Sequence, residues 1–84
     1  MYCYETEKHK IFTDEGQREF IKVRDRAMNL LSEAGAFSMF APLKGISGDS
    51  WQMMAYVDRM VELGDIREVT STGVAGQHRV FVAA

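Results

Sequence analysis

Ser50-Trp-Gln-Met-Met-Ala-Tyr-Val-Asp-Arg-Met-Val-Glu-Leu-Gly64 is the stretch on which the fold turns. It opens with helix-start chemistry, because the side chain of Asp49 or Ser50 can accept a hydrogen bond from an otherwise unpaired first-turn amide. It closes on Gly64, a residue suited to the left-handed conformation that ends many helices. Between these signals Met53, Met54, Val57, Met60 and Val61 recur at steps of three and four, which predicts a helix with one apolar side. The other side carries Trp51, Gln52, Ala55, Arg59 and Glu62, with Tyr56 at its edge. Met fills irregular gaps well, so the methionine-rich side is expected to be core.

The helix belongs to a chain of 84 residues, enough for one small domain with a limited core. Self-association would give such a chain extra burial. Its 46% hydrophobic and 26% charged residues mark a globular domain and not a disordered tail. The net charge of −2 counts against strong nonspecific DNA affinity, although a basic patch on one face is compatible with it. Cys3 is the one cysteine, so no internal disulfide and no cysteine-rich metal site is expected. No apolar run reaches the roughly 20 residues of a membrane span, and no charged start leads into a secretory core. The expectation is a cytoplasmic protein.

Working outward from the central helix, Asp14 to Ala34 is predicted to be a second long helix, capped by Thr13 or Asp14. Asp14 and Gln17 approximate a capping box. Phe20, Val23, Ala27, Leu30 and Ala34 form its inward stripe, widened by Ile21, Met28 and Leu31, and Gly35 ends it. Residues 36–40 suit one brief strand. Pro42 fits the first turn of a short helix from about residue 41 to residue 45 or 46, and Ser47-Gly48-Asp49 supplies a turn. After Gly64, residues 65–70 alternate apolar and polar. Residues 71–77 hold two glycines, and residues 78–82 are β-favouring, so the three runs together predict a hairpin. At the other end, Tyr2, Tyr4 and Thr6 recur at every second position, which predicts an extended arm or strand over residues 1–12. Pairing with the sheet, pairing with a second copy and a frayed terminus all fit that arm.

Residues 14–82 resemble a winged helix-turn-helix domain. The most specific piece is Val57-Asp-Arg-Met-Val-Glu-Leu-Gly-Asp-Ile-Arg67, which is similar to the end of the recognition helix and the start of the wing in many bacterial and archaeal regulators. The resemblance implies an α+β fold: a three-helix winged helix-turn-helix with a small antiparallel sheet over residues 13–84, preceded by the extended N-terminal arm. It also implies a transcription-regulator-like module that binds double-stranded DNA through residues 50–63 and the wing, residues 71–79. Carried over position by position, Gln52, Ala55, Tyr56 and Arg59 would face the major groove, where Gln can read adenine and Arg guanine. Ser47, Ser50 and Lys44 would meet phosphates, as would Gln77, His78 and Arg79 at the wing. Asp49, Asp58 and Glu62 depart from the pattern by placing negative charge on or beside that surface, and Trp51 is large for a helix entering a groove.

Catalysis is not expected. Cys3 lacks a positioned base, His9 and His78 lie in different segments, and no metal-ligand spacing or phosphate loop occurs. No cofactor is implied. The alternative to DNA binding is a protein-interaction module or a homodimeric accessory protein, with Tyr2, Tyr4 and Trp51 as anchors of the types enriched at interfaces. Charge geometry separates the two. Convergence of Lys44, Arg59, His78 and Arg79 with Gln52 would favour DNA, whereas an acidic face with an exposed Trp51 would favour a protein partner.

Overall fold

Helix α3 (Ser50–Glu62) starts where Asp49 accepts the Gln52 amide hydrogen at 2.8 Å. It ends where Gly64 turns the chain at φ 82°. Helix α2 (Asp14–Ala34) is capped by Thr13, whose hydroxyl accepts from the Gly16 amide at 3.0 Å, and is terminated by left-handed Gly35. Gln17 does not complete a capping box with Asp14. Its side-chain amide donates instead to the Ile11 carbonyl at 2.7 Å, tying the segment before α2 to its first turn. The computed structural model describes residues 1–84.

Three short strands form one antiparallel sheet in the order β1 (Ala36–Ser38), β3 (Val80–Ala83), β2 (Ile66–Glu68). Phe81 of β3 lies opposite both Phe37 and Glu68. The Phe37 and Phe81 rings stack at 5.5 Å between centroids, a favourable offset pairing of buried aromatics. The β2–β3 hairpin has the expected connection but shorter strands than the alternation suggests. The region around Pro42 is a single 3-10 turn (Ala41–Leu43). A second 3-10 turn (Gly76–His78) lies in the loop that leads into β3. Sheet and helices meet over a single core that includes Phe20, Val23, Phe37, Val57, Met60 and Phe81. This α+β architecture, with a helix, a strand, a short helical turn, a second helix and a hairpin in that order, is compatible with a winged helix. No helix is long and apolar enough to cross a membrane.

Two expectations are corrected. The stripe on α2 is narrower than its apolar residues imply. Ile21 is 59% exposed, Met28 is 39% exposed and Ala34 is exposed, because α2 packs on the core by one face and nothing lies beyond it. Residues 1–12 are not an extended arm. After an extended Cys3 they form α1 (Tyr4–Glu7) and a 3-10 turn (Lys8–Ile11), both packed on α3. The period-two tyrosine pattern is genuine, but it arises from contacts with α3 and not from a sheet. Ile11 is fully buried in the core, so the turn that carries it is part of the domain.

Gly16 fixes how closely that turn approaches α2. A Cβ at residue 16 would lie 2.5 Å from the Ile11 carbonyl oxygen. Alanine ordinarily improves a helix interior by about 0.5–1 kcal/mol. Here Gly16→Ala should destabilise by about 1–3 kcal/mol, since backbone must shift. Urea unfolding measures this, and a stabilised variant would mean that residues 8–11 do not sit against α2 as described.

Candidate interaction face

On α3, positions 51, 55, 58, 59 and 62 share the side turned away from Val57 and Met60, as the 3.6-residue repeat requires. In a helix on the surface of a two-layer domain this side would be open. Here it is covered by residues 1–12. Ala55, whose small side chain permits close approach, is fully buried on it. Tyr2 donates its hydroxyl to Asp58 Oδ2 at 2.6 Å, and Tyr4 donates to Glu62 Oε1 at 2.7 Å. Asp58 and Glu62 are four apart and so stand in one row on the helix. The extended Cys3 lets two tyrosines two residues apart reach that row together.

Lysines and an aromatic ring complete the cover. Lys8 lies 2.9 Å from Glu5 and 3.8 Å from Glu62; Lys10 lies 2.7 Å from Glu7 and 3.7 Å from Asp49. The Arg59 guanidinium is 5.0 Å from the Phe12 ring centroid and bonds Glu62 at 2.6 Å, a cation–π contact joined to an ion pair. Burial raises the pKa of both Tyr2 and Tyr4, and the carboxylates that accept their hydrogens raise it further. Both phenols therefore remain hydrogen donors. The hydrogen bonds from Tyr4 and then Arg59 hold Glu62 below the usual carboxylate range.

At the end of α3 nearer the sheet, Arg79 bridges three elements. Its Nη2 is 2.8 Å from Asp58 Oδ1 and 2.8 Å from Glu68 Oε1, and its Nε donates to Glu68 Oε2 at 3.0 Å. Thr70 donates to the same Glu68 oxygen. Burial alone would lower the Arg79 pKa, but the hydrogen bonds from its two carboxylate partners outweigh this and raise it. Glu68 is lowered chiefly by the Arg79 guanidinium.

The candidate DNA-contacting residues are thus dispersed. Ala55 and Tyr56 are fully buried and are not on an outward face; helical periodicity alone misplaces them, because residues 1–12 cover the side of α3 that carries Ala55 and Tyr56 lies at the junction with the start of α2. Tyr56 receives a hydrogen bond from Gln52 at 3.3 Å. Arg59 and Arg79 are turned onto carboxylates, whereas Lys44, Ser47, Ser50, Gln77 and His78 are exposed. Trp51 is 42% exposed beside Asp49 and Ser50, and Tyr2 and Tyr4 contact α3 itself. Six of the ten Lys and Arg residues (Lys8, Lys10, Lys22, Arg24, Arg59 and Arg79) stand in ion pairs within the chain. Sequence reasoning did not single out Glu68 or Phe12. The acids at 49, 58 and 62, out of place on a DNA-reading surface, were the signal that could have pointed to the contacts with Lys10, Tyr2 and Tyr4.

A separate polar cleft of about 300 Å³ lies between the start of α2 and α3, lined by residues that include Glu15, Glu19, Ser47, Gln52 and Tyr56. Neither histidine nor Cys3 lines it, and no three His, Cys, Asp or Glu side chains converge anywhere as metal ligands do. No protein-family model, no curated protein and no solved structure matches this chain.

The lowered pKa of Glu68 sets an acid limb to stability. A carboxylate depressed in the folded state contributes stability that is complete above its unfolded value, about 4.3 for glutamate, and is lost as pH falls through the folded value. Glu62 and Asp49 act in the same direction, Asp49 through the hydrogen bond from the Gln52 amide. Melting temperature should therefore fall as pH drops below about 4.3, and Glu68→Gln should make that fall shallower while lowering stability at neutral pH. Thermal melts across the acid range test this. An unchanged acid slope in Glu68→Gln would mean that Arg79 does not hold Glu68 in solution.

Proposed function

We propose that this protein is a non-catalytic winged-helix module that works by docking protein segments and not by laying α3 in a DNA groove. One observation carries the reading: the outer face of α3 already holds a peptide segment, residues 1–12, through carboxylates that would repel a phosphate backbone. A recognition helix needs free cations and donors aimed outward. Here Arg59 and Arg79 neutralise neighbouring acids, and Asp49, Asp58 and Glu62 line the surface. The partly exposed Trp51 supplies the kind of aromatic anchor enriched at protein interfaces. The lone Cys3, exposed and without a disulfide partner, suits a reducing, cytoplasmic setting.

DNA binding is the second reading. It is favoured by the order of elements and by the exposure of Lys44, Ser47 and Ser50 before α3, with Gln77 and His78 at the wing. In that mode the N-terminal end of α3 would approach the duplex, against the charge of Asp49.

Titration of mixed-sequence duplex DNA at low salt separates the two. The intact chain should show no binding at protein concentrations up to about 100 μM, within the range typical of nonspecific contacts. Binding that falls steeply with added salt and weakens in Lys44→Ala would overturn the protein-docking reading in favour of DNA.

A further inference from the structure

The segment that covers α3 is held by two different kinds of contact, and the division falls at Ile11. From Ile11 onward the chain is locked: Ile11 is fully buried, its carbonyl accepts the Gln17 amide, and Gly16 presses against its backbone. Residues 1–10 are held otherwise: they supply none of the fifteen buried core residues, and lie on the core's edge through the half-buried rings of Tyr2 and Tyr4 and the buried Glu7. Their polar links to the rest of the domain include the hydroxyls of Tyr2 and Tyr4 on Asp58 and Glu62, Lys8 near Glu62 and Lys10 near Asp49. The lysine contacts are partly solvated pairs, a class that adds little holding strength. Within the segment, α1 is a single four-residue turn, far below the length at which a helix is stable alone. The segment can therefore leave α3 without dismantling the core beneath.

We propose that residues 1–10 are a detachable occupant of a helix-docking face on α3, and that this face receives a partner segment of the same chemistry: a short helix presenting phenol hydroxyls and lysines. The inference rests on the protein-docking reading and specifies its site and its partner class. The bound segment shows what the face selects. Asp58 and Glu62 accept hydrogen bonds from phenols spaced two residues apart, Asp49 and Glu62 attract lysines, and Ala55 leaves room for backbone to approach. A phosphate backbone, anionic and without donors, satisfies none of these acceptors. A tethered segment acts at an effective concentration in the millimolar range for a short connection. A partner arriving in trans must displace it, and its apparent affinity is reduced by the fraction of time the face is open. Residues 1–10 thus set a threshold for partner binding.

The probe is a fluorescent synthetic peptide of residues 1–10 carrying Cys3→Ser, titrated against the full chain and against a Tyr2→Ala/Tyr4→Ala variant. Loss of both rings removes their edge packing and the hydrogen bonds to Asp58 and Glu62, which should release the segment. Hydrogen exchange checks the state of the variant: amides of residues 4–10 should lose protection while those of α2, α3 and β3 keep it. The released variant should bind the peptide, and the intact chain should bind it about 100-fold more weakly if its face is open about 1% of the time. A folded variant that keeps residues 4–10 protected would overturn detachment. A folded, released variant that binds no peptide would overturn the docking face, while leaving a protein-docking role elsewhere on the surface intact. Salt-sensitive binding of duplex DNA by the released variant would overturn the protein-docking reading itself, and with it this inference.

Discussion

Asp58 accepts from Tyr2 on one oxygen and from Arg79 on both, and this double use joins the two halves of the surface. Arg79 also holds Glu68, so one guanidinium spans α3, the strand β2 and the approach to β3. Its planar fork suits this bridging role, because two carboxylates can be engaged from one rigid group. Removing Asp58 would leave a half-buried Arg79 with only one partner and would free Tyr2. The seating of the hairpin and the seating of the leading segment therefore depend on the same side chain.

The chain is small, and that makes a covering segment useful. With 84 residues there is little interior to share, and a helix with only one buried side contributes half of what it can. By packing residues 1–12 on the outside of α3, the fold buries Ile11 and Ala55 completely. The polar groups on that side are satisfied in the process, and no buried side-chain nitrogen or oxygen lacks a hydrogen-bond partner. Such satisfaction matters because an unpaired buried polar group costs about 1–3 kcal/mol.

The charge arrangement follows the same logic. A chain with a net charge of −2 can still present a basic face, but its arginines on α3 and at the wing are spent on neighbouring acids. What is left outward near α3 is mixed: Lys44 and two serines before the helix, Asp49 at its cap, and Trp51 partly exposed in the first turn. The exposed apolar residues Ile21 and Met28 on α2 and Leu63 after α3 are surface that the core does not use.

Much of the fold was legible because its signals are local. Thr13 and Asp49 cap the helices they precede, Gly35 and Gly64 take the left-handed conformation at their ends, and the glycine-bearing loop joins two antiparallel strands. Each of these depends on a few neighbouring residues and on backbone sterics alone. By itself the sequence determined the α+β class, the bounds of α2 and α3 and which side of α3 is core. Only the tertiary structure decided that α3 is covered on its other side, that Tyr2 and Tyr4 answer Asp58 and Glu62 more than fifty residues away, and that Arg79 is tied to carboxylates instead of facing outward. A period of two and a period of 3.6 report one residue's relation to its neighbours. Which surface a turn of tyrosines and lysines will meet depends on where the chain returns, and no local pattern contains that.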